Sequence, residues 1–371
     1  GIAEGAIDRF QNDVLRTTAY VLTGLTTSGY AGAAIASGTG FVKAQLAQTD
    51  FPSETYTLAL CAHALLRDVN DPLLPGLFQE FERRKSEDGE RVWWEEKAPT
   101  ITGSRGQGAA VELTALLAQA YLRYGGYPDT TTKALDFLAA SKDGHGNFGS
   151  TQATVQALKA FALAAGGITT PTDATVRIAI NSAEVQTVRL TQANSDVLFL
   201  CDLGGQTTEG DNTVRLSFEG TGGNLYQIVG RYYVPWERVD PPTQELLSID
   251  IQYDKTQLTT DDLLTCTVAL ANNQPGKAKM VVVDVGIPPG FEVLRQDLDQ
   301  LVGQQIAKYE VPGRQVIFYL DELDHAAPLS LVFRLAAQYP IRAKTPRSVV
   351  YEYYNPEVRG VAEPREIAVT K

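Results

Sequence analysis

Four stretches in the N-terminal part of the chain are variations on one design, and that repetition constrains the fold more than any other feature. Thr18 to Leu25, Thr57 to Leu66, Thr114 to Leu122 and Thr154 to Phe161 each set large apolar residues among Ala, Gly or Thr at helical spacing. They recur roughly 40 to 60 residues apart, which leaves room for one helical hairpin per repeat. The stretches between them supply the partner helices: Tyr30 to Leu46, Leu73 to Arg84 and Thr130 to Ala140. Small residues let helix axes approach closely, as the inner helices of a ring of hairpins must. The expectation for residues 1–170 is an α/α toroid, or part of one. Its last helix follows a glycine-rich turn, Asp143 to Gly149, in which Ser150 or Thr151 can cap. Val155, Leu158 and Phe161 then recur on one helical face.

Around Thr169 to Thr172 the period changes from helical to alternating. Val176 to Ile180, Val188 to Leu190, Val197 to Leu200 and Thr213 to Phe218 have the two-residue period of strands, with Leu225 to Val234 closing a small β module over 171–238. Pro235, Pro241 and Pro242 mark a linker. Beyond it, Leu247 to Tyr253, Leu263 to Ala271, Met280 to Ile287, Gln315 to Leu320, Ser330 to Ala336 and Val349 to Tyr354 predict a β-sandwich over 239–371. Leu294, Leu298, Leu301 and Val302 break that rhythm at helical spacing, so a short helix is expected inside the sandwich. The fold class is thus α followed by β.

Little in the chain points to chemistry. A net charge of -12 is spread over 371 residues with no Lys/Arg stripe, which argues against nucleic acid as a partner. No run reaches the ~20 apolar residues of a membrane span. Cys61, Cys201 and Cys266 are far apart in apolar contexts and predict buried thiols. His63 cannot share a helix face with Cys61, so an interior histidine is expected there, with His145 and His325 in exposed loops. Gly103 to Gly108 and Gly220 to Asn224 lack the strand before and helix after that a phosphate loop needs, and predict turns. Trp93 and Trp94 suit a hairpin edge packing on its neighbour, and Asp261-Asp262 a solvated turn. No catalytic residue, metal site or cofactor is expected.

The tyrosines are more informative. Strand alternation through Val350 to Asn355 puts Tyr351 and Tyr353 on one face and Tyr354 on the other, so they cannot all be core. Tyr319 stands between Phe318 and Leu320, which would fill the sandwich.

The run Gly146 to Leu158 resembles the end of the thioester domain of the α2-macroglobulin and complement C3 family. Val282 to Phe291, Val316 to Leu323 and Val350 to Asn355 are similar to that family's C-terminal receptor-binding domain, and the segment from Ala174 to Trp236 to the returning half of its CUB-like module. The resemblance covers essentially the whole chain in order. It implies the C-terminal portion of a broad-spectrum protease inhibitor that traps its attacker through a thioester.

The family's Gly-Cys-Gly-Glu-Gln motif is missing, since Cys61 is followed by Ala-His-Ala, so the resemblance places the thioester Cys and Gln upstream of Gly1. It assigns Tyr319 and Tyr353 to shielding that bond through a contact between toroid and sandwich. It does not extend to receptor uptake: where animal members carry paired lysines, this chain has Arg295, Asp297 and Asp299. Without Asn-X-Ser/Thr sequons or a disulfide framework, a bacterial protein of the periplasm or cell envelope is expected, with proteases as partners. Two alternatives are a surface adhesion module without a thioester and a toroid enzyme of the prenyltransferase or terpene-cyclase type.

Overall fold

Alanine decides how the helical part packs. The computed structural model describes residues 13–48, 51–142, 147–166, 172–194, 197–222, 226–230 and 245–371, with positions 232, 234, 235 and 238. Three helical hairpins, α1 (Val14–Thr27) with α2 (Ala33–Leu46), α3 (Thr55–Leu65) with α4 (Leu74–Arg84), and α5 (Gly106–Tyr124) with α6 (Pro128–Ala140), lead to a single helix α7 (Thr151–Gly166). The inner helices α1, α3, α5 and α7 touch in succession, and α2, α4 and α6 form an outer layer, giving an arc of an α/α toroid. Every residue of α3 is buried, as is α5 from Gly108 to Tyr121.

On α7 the buried face is Ala153, Ala157 and Ala160, while Val155 and Leu158 are exposed. Val155 and Leu158 therefore do not mark the inner face, where α7 lies close to α5, while Phe161 is half-buried against the core. Gln119 Nε2 of α5 reaches both the carbonyl and the Oε1 of Gln156 at 3.1 Å.

Between α4 and α5 a two-stranded hairpin, β1 (Ser86–Glu87) and β2 (Val92–Trp93), carries the tryptophan pair. Trp93 stacks on Phe137 with ring centroids 5.5 Å apart. Trp94 is fully buried, and its indole N–H donates to the Phe81 carbonyl at 2.8 Å. A buried indole keeps its burial energy only if that N–H is satisfied.

β3 (Asp173–Ile180), β4 (Ala183–Thr191) and β5 (Val214–Thr221) form a sheet in the order β4-β3-β5, whose core among the described residues is Ala174, Val188 and Leu190 with Val176 packed against it. Val197 to Leu200, expected as a strand, is not one. Among the described residues it pairs with no strand, and Leu198 and Leu200 are each 81% exposed. Cys201, at the end of this segment, is only half-buried, so the expectation of a buried thiol fails there. Cys61 and Cys266 are buried, and burial pushes both thiols up to about 12. Part of the segment closing this module, and His145 with it, lie outside the described residues.

The C-terminal part is a sandwich. One sheet has the order β10 (Phe291–Val293), β13 (Leu329–Ala337), β8 (Leu263–Asn272), β6 (Leu247–Tyr253). The other has the order β11 (Lys308–Glu310), β12 (Gln315–Asp324), β9 (Lys277–Gly286), β15 (Ser348–Glu352), β16 (Asn355–Ala362). A third small sheet combines β14 (Ile341–Lys344), β17 (Glu366–Thr370) and β7 (Gln257–Thr259). Leu264, Cys266, Val268, Leu331 and Phe333 meet Val281, Val283, Val285, Val316 and Phe318 in the shared core. The expected short helix is α8 (Arg295–Leu301), pinned by buried Leu298 and by Asp297, which takes Arg334 in two hydrogen bonds at 2.7 Å. Asp299 accepts from the Tyr309 hydroxyl at 2.7 Å, so both acids serve the fold locally.

Candidate functional site

The central strand β9 exposes its second face to a row of side chains set by register. Lys308 pairs with Tyr319, Tyr319 with Val282, Val282 with Tyr351, and Tyr351 with Arg359, so these five residues form one rung across the outer face of the sheet. Val282 is buried beneath its two tyrosine neighbours. The Lys308 ammonium lies 4.1 Å from the Tyr319 ring centroid and 2.9 Å from Glu310 Oε1, which fixes the ring by a cation–π contact. Partial burial, with the Glu310 carboxylate alongside, raises the Tyr319 phenol above its ordinary value. On the next rung Asp284 accepts from Gln315 Nε2 at 2.9 Å through Oδ2. Half-burial raises this carboxyl against the pull of Arg347.

Tyr353 is placed by a turn. β15 ends at Glu352, and Tyr353 and Tyr354 form the connection to β16. The Tyr353 N–H donates to the Met280 carbonyl at 2.8 Å, and its ring, 39% exposed, meets Tyr354 edge-on with centroids 5.1 Å apart. Lys308 is within electrostatic reach of both Tyr319 and Tyr353, so the two residues share one patch.

The same turn approaches the start of α5. The Arg105 N–H donates to the Tyr354 carbonyl at 3.4 Å, and the Gln107 N–H to Glu357 Oε2 at 3.5 Å. Gly106 and Gly108, expected in a turn, instead belong to the first coil of a 19-residue helix.

Behind that helix start lies a polar cluster that sequence reasoning missed. The fully enclosed Glu112 carboxylate accepts from the Tyr56 hydroxyl at 2.9 Å and from the hydroxyls of Thr100 and Thr102, each at 3.0 Å. Burial, and then the carboxylate beside it, push the Tyr56 phenol far above its ordinary value. A single acid inside the apolar run of α5 was the available signal, because such a group needs several donors to remain buried.

Ser104 Oγ meets Ser150 Oγ at 3.0 Å, and Ser150 Oγ in turn accepts from the Ala153 N–H at 3.1 Å. Ser150 thus caps α7 and ties the glycine-rich turn to the start of α5. His63, as expected, is interior, with Nε2 2.8 Å from the Leu116 carbonyl, and His325 is exposed. Among the described residues no group of three or more His, Cys, Asp or Glu is placed to hold a metal ion.

Two family models match the chain. The A-macroglobulin TED domain matches residues 3–163, and the A-macroglobulin receptor binding domain residues 276–364. Ovostatin of Gallus gallus is 25% identical over 94% of this chain and 24% of its own length. Complement C3 of Eptatretus burgeri is 26% identical over 82% of this chain and 19% of its own. The chain therefore spans about a quarter or less of these relatives. Among solved structures, native alpha-2-macroglobulin from Escherichia coli, spanning domain MG7 to the C-terminus, is 16% identical over 97% of this chain and 64% of its own, with a TM-score of 0.47. Salmonella alpha-2-macroglobulin reacted with methylamine is 17% identical over 96% of this chain and 26% of its own, at 0.45. The two domain models follow one another in order and together span about two thirds of the sequence, so this chain belongs to the α-macroglobulin family.

Proposed function

We propose that the chain is the C-terminal portion of a protease trap in which the sandwich covers a reactive thioester until an attacking protease cuts a bait segment. The observation that carries this reading is the outward patch of Tyr319 and Tyr353, fixed around Lys308 beside the turn that approaches α5. An acyl thiolate survives only where nucleophiles are kept off it. Aromatic rings on a separable domain exclude them and can then move away. The reading divides the chain into toroid (1–170), CUB-like half (171–238) and receptor-binding-like sandwich (239–371). It makes the chain a shield rather than a catalyst, with proteases as partners of the longer protein and the bacterial periplasm or cell envelope as its compartment.

The test uses the longer parent protein. Methylamine attacking the thioester carbonyl forms an amide and expels the cysteine thiolate, which takes up the proton the amine loses. Free thiol is therefore the readout. Release on methylamine addition is expected, accelerated by Tyr319→Ala or Tyr353→Ala. No release would remove the thioester from the reading, and unchanged kinetics in both variants would remove the tyrosines.

A further inference from the structure

The start of α5 has an anion on it that comes from the other end of the chain. A helix of this length leaves its first N–H groups unpaired and its N-terminus partially positive. The N-cap residue, Arg105, provides no side-chain cap. Four groups of the sandwich face this end. The Tyr354 carbonyl takes the Arg105 N–H, and the Glu357 carboxylate the Gln107 N–H. Asn355 Oδ1, shut away from solvent, has no hydrogen-bond partner among the described residues. The half-buried Glu352 carboxyl, raised by desolvation, is drawn back down by Arg105.

The backbone of α5 leaves room for this approach. A Cβ on Gly106 would lie 2.9 Å from Glu357 Oε2 and 3.0 Å from Asn355 Oδ1, and φ there is +51°, a conformation open to glycine and strained for other residues. Gly108 comes next to the Tyr354 carbonyl, where a Cβ would make ordinary contact at 3.7 Å.

We propose that Gly106 to Gly108 form a docking platform for the sandwich, and that Glu357 serves as the N-terminal capping anion of α5, supplied by the domain that must leave when the shield opens. The latch is releasable by construction. Glu357 is exposed, its bond to Gln107 is long, and salt screens the charge, so undocking uncaps the helix at small cost. This inference builds on the proposed shielding for its purpose, but its geometry is independent of any thioester.

Hydrogen exchange on the present chain tests it. Glu357→Gln is expected to speed exchange of the Gln107 and Gly108 amides about two- to fivefold, and Glu357→Lys on the order of tenfold, because the charge then opposes the helix dipole. Raising salt should narrow the difference between these variants and the parent. Exposed Glu363→Lys should leave those amides unchanged. The proposal falls if both Glu357 variants exchange like the parent, or if exchange rises equally throughout α7 and β12, which would report general destabilisation. Thiol release in the longer parent reads the shielding separately, so either idea can fail without the other.

Discussion

Replacing His63 should remove a specific acid sensitivity from the helical part. His63 is enclosed on α3, and its Nε2–H donates to the Leu116 carbonyl of α5. Desolvation by burial lowers it from 6.5 to about 4, outweighing that hydrogen bond. A histidine depressed in the folded state takes up its proton first in the unfolded chain. Stability is then fully present above pH 6.5 and is lost as pH falls toward 4. With those two values, the loss from pH 8 to pH 5 is about 2 kcal/mol, approaching about 3 kcal/mol below pH 4. For a helical part of this size, the loss at pH 5 corresponds to about 4–8 °C in Tm. His63→Gln keeps an N–H that can reach the carbonyl and has no proton to gain. Urea unfolding followed by helical circular dichroism at pH 8 and pH 5 compares the two proteins. The variant is expected to lose about 2 kcal/mol less than the parent across that interval. Equal losses in both would refute the argument, since carboxylates common to both proteins would then account for all the acid sensitivity.

Two further substitutions probe the packing. Tyr56→Phe removes one of the three hydroxyls facing Glu112 without opening a cavity, and unfolding should become easier by about 1.5–3 kcal/mol, read by the same urea titration. Because its phenol is raised in the folded state, the Tyr56 contribution is complete below about pH 10 and falls above it, so the parent should lose stability at alkaline pH more steeply than the variant. Gly360→Ala places a Cβ 2.2 Å from the Leu247 carbonyl, a backbone atom with no rotamer to escape to. The sandwich should lose several kcal/mol, or about as much as an overpacked core, in denaturant unfolding, and a neutral result would mean that β16 can shift away from β6.

The helices were legible because repetition and helical spacing reinforce one another, and the main sandwich strands because their alternation is clean. Legibility failed where a pattern had no partner to satisfy it. Val197 to Leu200 has strand composition, yet a strand needs a ladder of neighbouring hydrogen bonds, and among the described residues it joins neither edge of the sheet formed by β3, β4 and β5. Tyr353 lies past the end of β15, in a turn announced by Asn355-Pro356, yet its N–H still bonds the Met280 carbonyl and keeps it in the patch of Tyr319 and Tyr351. The glycines at 106 and 108 read as punctuation because their role depends on Glu357 and Tyr354, about 250 residues away, and no local window contains both sides of that contact. The face of α7 shared by Val155, Leu158 and Phe161 is only partly inward for a related reason: close approach to α5 rewards small residues, so Val155 and Leu158 lie outside while Phe161 packs on the core.

The rung through Val282 also bears on how errors in folding would be exposed. Nine residues of β12 pair with β9, and sliding that pairing by one position would turn Phe318 and Leu320 outward and draw Tyr319 into the core. Such a slip would bury a phenol among valines and expose Phe318 and Leu320 to solvent, so it would fail on both sides of the sheet at once. The phenol surface therefore doubles as a proofreading mark: a sandwich that displays Tyr319 beside Lys308 has its strands in the correct register, and a misaligned copy would announce itself by a greasy face of Phe318 and Leu320.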